Sequence, residues 1–102
     1  MYYYTYKIEC TEGDWKGIYY FGKHITRNLN DKYICSSKKL HNYLKKHPNG
    51  YTRTILEFFN SKNELNTAEQ KLIAPCLNDP KCANIAKGGD GGDTGYWQNW
   101  YK

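Results

Sequence analysis

Residues 2–10 read Tyr-Tyr-Tyr-Thr-Tyr-Lys-Ile-Glu-Cys, and their alternation constrains the fold more than any other stretch of the chain. Successive side chains of an extended strand point to opposite sides. Tyr2, Tyr4, Tyr6, Ile8 and Cys10 therefore share one face, and Tyr3, Thr5, Lys7 and Glu9 share the other. Aromatic and β-branched residues suit a pleated surface, so the stretch is expected to be a strand with a tyrosine face. A single strand is not stable alone and must find partners.

Two partners are visible. Residues 18–24, Ile-Tyr-Tyr-Phe-Gly-Lys-His, make a second strand, joined to the first by a short, Gly-containing link that suits an antiparallel hairpin. Residues 51–59, Tyr-Thr-Arg-Thr-Ile-Leu-Glu-Phe-Phe, make a third. Between them, residues 37–47 place Leu40, Tyr43, Leu44 and His47 on one side at helical spacing. Ser36 or Ser37 is the N-cap, and His-Pro-Asn-Gly is the stop. Ser61-Lys-Asn-Glu64 is a capping box that opens a second helix running to about Ala74, before Pro75. The expected fold class is α+β: a small three-stranded antiparallel sheet flanked by helices.

A chain of 102 residues is most simply one domain with a thin core. Eleven tyrosines are more than such a core needs, so some are free for a surface or a site. The net charge of +5 argues for an anionic partner. No run of about 18 apolar residues is present, which excludes a membrane-spanning reading. The amino-terminal residues are too polar for a secretory signal, so Cys10, Cys35, Cys76 and Cys82 are expected to be reduced thiols in a cytoplasm. Cys76 and Cys82 lack the spacing of common zinc sites, so a zinc-stabilised module is a minor alternative.

Three features could carry chemistry. Glu69 falls in the apolar stripe of the second helix, with Leu65, Ala68, Leu72 and Ile73. A carboxylate there is costly unless paired, protonated or bound to a metal. It could instead reach solvent at the edge of the stripe, or close a later capping box with Asn66. Tyr6 and Tyr20 sit on neighbouring strands, where packing is the ordinary explanation. Gly22 weakens a strand unless something approaches it closely, and Lys23 and His24 follow at once. The first helix carries Lys38, Lys39, Asn42, Lys45 and Lys46 outside its apolar side, which is either a solvated face or a surface for phosphates. Residues 17–22, Gly-Ile-Tyr-Tyr-Phe-Gly, pose a question of their own, because they look like two short motifs run together.

In order along the chain, Tyr4-Thr-Tyr-Lys-Ile8, Tyr20-Phe-Gly-Lys-His24, Tyr33-Ile-Cys-Ser-Ser-Lys38, Ala68-Glu-Gln-Lys-Leu-Ile73 and Asp79 to Gly89 resemble the motifs of the GIY-YIG nuclease domain. The likeness is to its branch of phage-type and homing-type endonucleases. It covers residues 4 to about 92, which suggests a nuclease domain over 1–92 and an aromatic tail over 93–102.

The resemblance implies phosphodiester hydrolysis of DNA with one divalent ion, Mg²⁺ or Mn²⁺, held by Glu69. It implies that Tyr6 and Tyr20 orient or deprotonate the attacking water and place the phosphate. Lys23 is the local cation. Asn84 braces the site or orients a strand. Arg27, Lys38 and His24 compete to supply the catalytic cation or base, because the family's helix Arg has no clear counterpart. Lys38, Lys39, Asn42, Lys45 and Asn84 would contact nucleic acid. A homodimer and a bacterial or phage-infected host cytoplasm fit the same reading. Cys35 and Ser37 replace two glycines of the family pattern. The alternative is therefore a binding or inhibitor module with weak or lost catalysis. On this reading the Gly-Ile-Tyr of residues 17–19 is an accident, and Tyr20-Phe21-Gly22 is the part that matters.

Overall fold

A computed structural model describes residues 1–84. The sheet contains β1 (Tyr2–Cys10), β2 (Tyr19–Thr26) and β3 (Tyr51–Phe59), and the helices are α1 (Lys38–Lys46) and α2 (Lys62–Ile73). β1 is central, in the order β2-β1-β3, and both pairings are antiparallel. A short 3-10 turn over Ala74–Cys76 follows α2, where Pro75 ends the regular helix. The expected α+β architecture is the observed one. The boundaries moved by one or two residues: the second strand extends to Thr26, and the first helix is a residue shorter at each end.

Local signals explain these elements. The Ser37 hydroxyl accepts from Leu40 N–H and caps α1. The Ser61 hydroxyl accepts from Glu64 N–H and caps α2. Asn66 lies inside α2, so no later helix start exists there. Gly13 takes a φ of +80°, in the left-handed region, and a Cβ there would crowd the Tyr43 hydroxyl. Tyr43 stacks on Trp15 at 4.2 Å, which pins the end of α1 to the β1–β2 connection.

The two sides of the sheet carry different layers. Tyr4, Tyr6, Ile8 and Cys10 of β1 pack with Tyr20, Cys35, Leu40 and Leu44. This is the tyrosine face, partly roofed by α1. On the opposite side α2 buries Leu65, Glu69 and Ile73. It also covers Thr5, which the alternation had grouped with the charged Lys7 and Glu9 and which is only 1% exposed. A bulge in the β1–β3 pairing sets Thr5 against Glu57 but Tyr6 against Ile55, leaving Leu56 as the extra residue. The four cysteines are free thiols, with Cys10, Cys35 and Cys82 buried and Cys76 half-buried. No helix among the described residues is long and apolar enough to cross a membrane. The aromatic tail proposed for 93–102, and the glycines that follow Asn84, lie outside the described residues.

Candidate active site

The cross-strand register builds the tyrosine face. Tyr6 lies directly opposite Gly22, and Ile8 opposite Tyr20. A Cβ on Gly22 would collide with the hydroxyl and ring of Tyr6. The close approach that a glycine in a strand signals is therefore made by a side chain of the protein itself. Tyr6 is fully buried, and its hydroxyl lies 3.0 Å from that of Tyr33. The Tyr20 ring sits 6.3 Å from the Tyr6 ring, and its hydroxyl is 3.1 Å from Ser36 Oγ.

Tyr33 ties this pair to an imidazole. The His24 and Tyr33 rings stack with centroids 3.5 Å apart. His24 Nε2–H donates to Asp31 Oδ2 at 2.7 Å, and Asp31 Oδ1 accepts from Tyr33 N–H at 3.0 Å. With Nε2 carrying the proton, Nδ1 is the nitrogen with the lone pair. The hydrogen bond from His24 holds the Asp31 carboxyl well below the usual carboxylate range.

β3 contributes Arg53, which the register sets opposite Ile8. Its Nε–H donates to the Ile34 carbonyl and its Nη2–H to the Tyr4 hydroxyl, both at 2.9 Å. The guanidinium lies 4.4 Å above the Tyr6 ring and 5.5 and 5.6 Å from those of Tyr4 and Tyr33.

Glu69 is on the other side of the sheet. Residues alternate along β2, so Lys23 points away from Gly22 and His24, towards α2. Lys23 Nζ lies 3.8 Å from Glu69 Oε1 and also donates to Asn66 Oδ1. Glu69 is 7% exposed, which rules out the solvent-edge explanation.

The electrostatics join the two halves at Tyr20. Burial pushes the Tyr6 phenol far up, and the neighbouring Tyr20 and Tyr33 add to this. Burial also raises Tyr20, the Ser36 hydrogen bond opposes it, and the charge of Glu69 adds to the rise. Burial raises Tyr33 as well, against the Tyr6 hydrogen bond and the Arg53 charge.

The remaining sequence candidates are more scattered. Arg27 is exposed, just after the end of β2, and makes no hydrogen bond or ion pair among the described residues. Lys38, Lys39, Asn42 and Lys45 form an exposed face of α1. Asn84 is buried, and its amide grips the outer edge of β2: it accepts from Phe21 N–H at 2.9 Å and donates to the Phe21 carbonyl at 2.6 Å. Tyr19 points away from the tyrosine face and donates to Asp79 Oδ2 at 2.6 Å.

Sequence reasoning missed Asp31, Asn66 and Arg53 as parts of this arrangement. Asn66 was findable, because it lies three residues before Glu69 on the same helix face. Arg53 alternates with Tyr51 in the sequence of β3, a weak signal that becomes strong only in three dimensions, where both are half-buried.

The chain has relatives in a bacteriophage. Over 94 residues, 90% of this chain, it is 36% identical to "Putative endonuclease segB" and 37% identical to "Putative endonuclease segE" of Enterobacteria phage T4. Over 75 residues, 72% of the chain, it is 35% identical to "Endonuclease segA" of the same phage. It spans less than half of each: 41%, 44% and 34% respectively. No family model and no solved structure matches the chain.

Among the described residues no group of three or more His, Cys, Asp or Glu stands ready to enclose a metal. The Glu69 carboxylate is a donor of the type that suits a hard divalent ion. Mg²⁺ keeps several waters and is often held by one or two carboxylates together with substrate phosphates.

Proposed function

We propose that this chain is a metal-dependent DNA endonuclease domain of GIY-YIG type. The observation that carries the reading is Glu69, a buried carboxylate beside an ammonium and within electrostatic reach of Tyr20, in a chain whose phage relatives bear endonuclease names. The ordered motifs from Tyr4 to Asn84 support the same class.

Glu69 would hold one Mg²⁺ or Mn²⁺. The ion would supply Lewis-acid stabilisation of charge developing on the phosphate. The protein's own groups divide the remaining work. Lys23 holds the Glu69 carboxylate and adds positive charge beside it. Tyr20 reaches solvent slightly and would position a phosphate or water by hydrogen bonding. Both Tyr6 and Tyr20 are displaced upward by burial, so they act as neutral phenols and not as phenolate bases. His24 would be the proton acceptor, because its hydrogen bond to Asp31 fixes the tautomer that leaves the Nδ1 lone pair to accept. Tyr6 acts through Tyr33, because its own hydroxyl is shut away from solvent. The exposed lysines of α1 would contact the DNA backbone.

The test is cleavage of a supercoiled plasmid across divalent metals. The wild-type chain is expected to cut with Mg²⁺ or Mn²⁺ and to stop with chelator. Glu69→Ala should bind DNA yet lose about two orders of magnitude or more in cutting. Cutting that survives chelation would sink the reading. The full burial of Tyr6 favours one competitor, a binding module without turnover, which predicts salt-sensitive DNA binding and no cutting in any metal.

A further inference from the structure

We infer that Arg53 is an anion-binding residue that takes a phosphate of the nucleic-acid backbone at the mouth of the tyrosine face. The assignment of the anion to nucleic acid rests on the proposed function. The assignment of Arg53 as an anion ligand rests on its surroundings.

Those surroundings are unusual for a cation. Arg53 is half-buried, and its guanidinium lies among the rings of Tyr4, Tyr6 and Tyr33. Its acceptors are one carbonyl, on Ile34, and one phenol, on Tyr4. Both are neutral. Among the described residues it has no carboxylate partner. A partly desolvated charge without a counter-ion is costly, and the three ring faces offset only part of that cost. A guanidinium offers five N–H donors, and these two acceptors use two of them. Donors remain for an incoming oxyanion, in the planar fork that suits phosphate.

The position also serves the proposed reaction. Through the Ile34 carbonyl, Arg53 holds the segment that carries Tyr33 and, three residues on, Ser36, the partner of Tyr20. A phosphate on Arg53 would lie beside the Tyr33–His24 stack. Arg27, the arginine that follows Tyr20 most closely in sequence, is exposed and has no comparable setting.

The chain contains two arginines, so the ¹⁵N–¹H signals of their Nε–H groups can be assigned with one Arg27→Lys variant. The wild-type chain, with chelator present to prevent cutting, is titrated with a short DNA duplex and separately with inorganic phosphate. The Arg53 signal is expected to shift to saturation with the duplex, and phosphate is expected to shift it in the same direction. In parallel, Arg53→Gln should lower the slope of log affinity against log salt by about 0.9, the value of one phosphate contact. Tyr4→Phe keeps the charge and should leave that slope unchanged.

An Arg53 signal that neither probe moves overturns the inference, and this reading needs no variant of Arg53 to fold. A correctly folded Arg53→Gln chain with an undiminished slope overturns it too. A shift with phosphate but not with duplex keeps the anion site and removes nucleic acid as its ligand. A shift with both probes and no cutting in any metal keeps the inference and sinks the nuclease reading.

Discussion

The tyrosine face and the α2 face are two sides of one three-stranded sheet, yet they are held by different chemistry. On the tyrosine face, Tyr6, Tyr20 and Tyr33 satisfy one another or Ser36, and Arg53 is the cation among them. On the α2 face, Leu65 and Ile73 flank a single carboxylate, Glu69, matched by Lys23. The first face gathers neutral phenols around a cation, with the Asp31 carboxylate bonded at its rim. The second buries a negative charge under a helix. The difference shows how a thin domain separates a buried carboxylate from the phenols on the other side of the sheet.

Breaking the aliphatic side should cost the most. Leu65 is fully buried, so Leu65→Ala leaves a cavity under α2 and should lower stability by about 2–5 kcal/mol. Chemical denaturation would read this. On the tyrosine face, Gly22→Ala forces a methyl against Tyr6 and should cost about 1–3 kcal/mol. A neutral result there would mean that the two strands can part more easily than this packing allows.

Tyrosine-to-phenylalanine changes sharpen the comparison further. Tyr6→Phe and Tyr19→Phe each remove one hydrogen bond, to Tyr33 and Asp79 respectively, and each should cost about 1 kcal/mol of stability. They should part in function. Plasmid cleavage is expected to fall with Tyr6→Phe and Tyr20→Phe by about 10-fold or more and to change little with Tyr19→Phe. Equal losses for all three would erase the distinction between the faces.

The phenols also predict a pH dependence. Tyr6, Tyr20 and Tyr33 are all raised above the ordinary phenol value by burial. The folded chain therefore keeps protons that the unfolded chain releases near pH 10, about the ordinary value for a tyrosine phenol. Their stabilising contribution is complete below that value and is lost as pH rises through and beyond it. Thermal melting should fall steeply above about pH 10 and be much flatter just below it, and Tyr6→Phe should soften the alkaline fall. The smallest effect concerns the thiols. Burial pushes Cys35 and Cys82 up to about 11, so mild alkylation should label the half-buried Cys76 first and leave those two largely intact.

Much of this was legible in the chain. The alternation of residues 2–10 specified the tyrosine face, Ser61 and Glu64 announced the start of α2, and the position of Glu69 in the apolar stripe made burial one of its open explanations. Gly-Ile-Tyr-Tyr-Phe-Gly also resolved as read: Tyr19 points away and Tyr20 points in. These features depend on period and local hydrogen bonding, which a sequence carries directly.

Other features depended on register and on chain reversal. Gly22 meets Tyr6 only because the hairpin pairs them. Arg53 reaches the tyrosines because β3 lies against β1, and Asp31 reaches His24 because the segment after β2 folds back on it. Residue spacing places a side chain on a face, but the charge it meets comes from segments far apart in the chain. The sequence alone determined which face of β1 carries the tyrosines and which stripe of α2 holds Glu69. Only the tertiary structure decided which cation each would face, because strand pairing and helix packing set those distances.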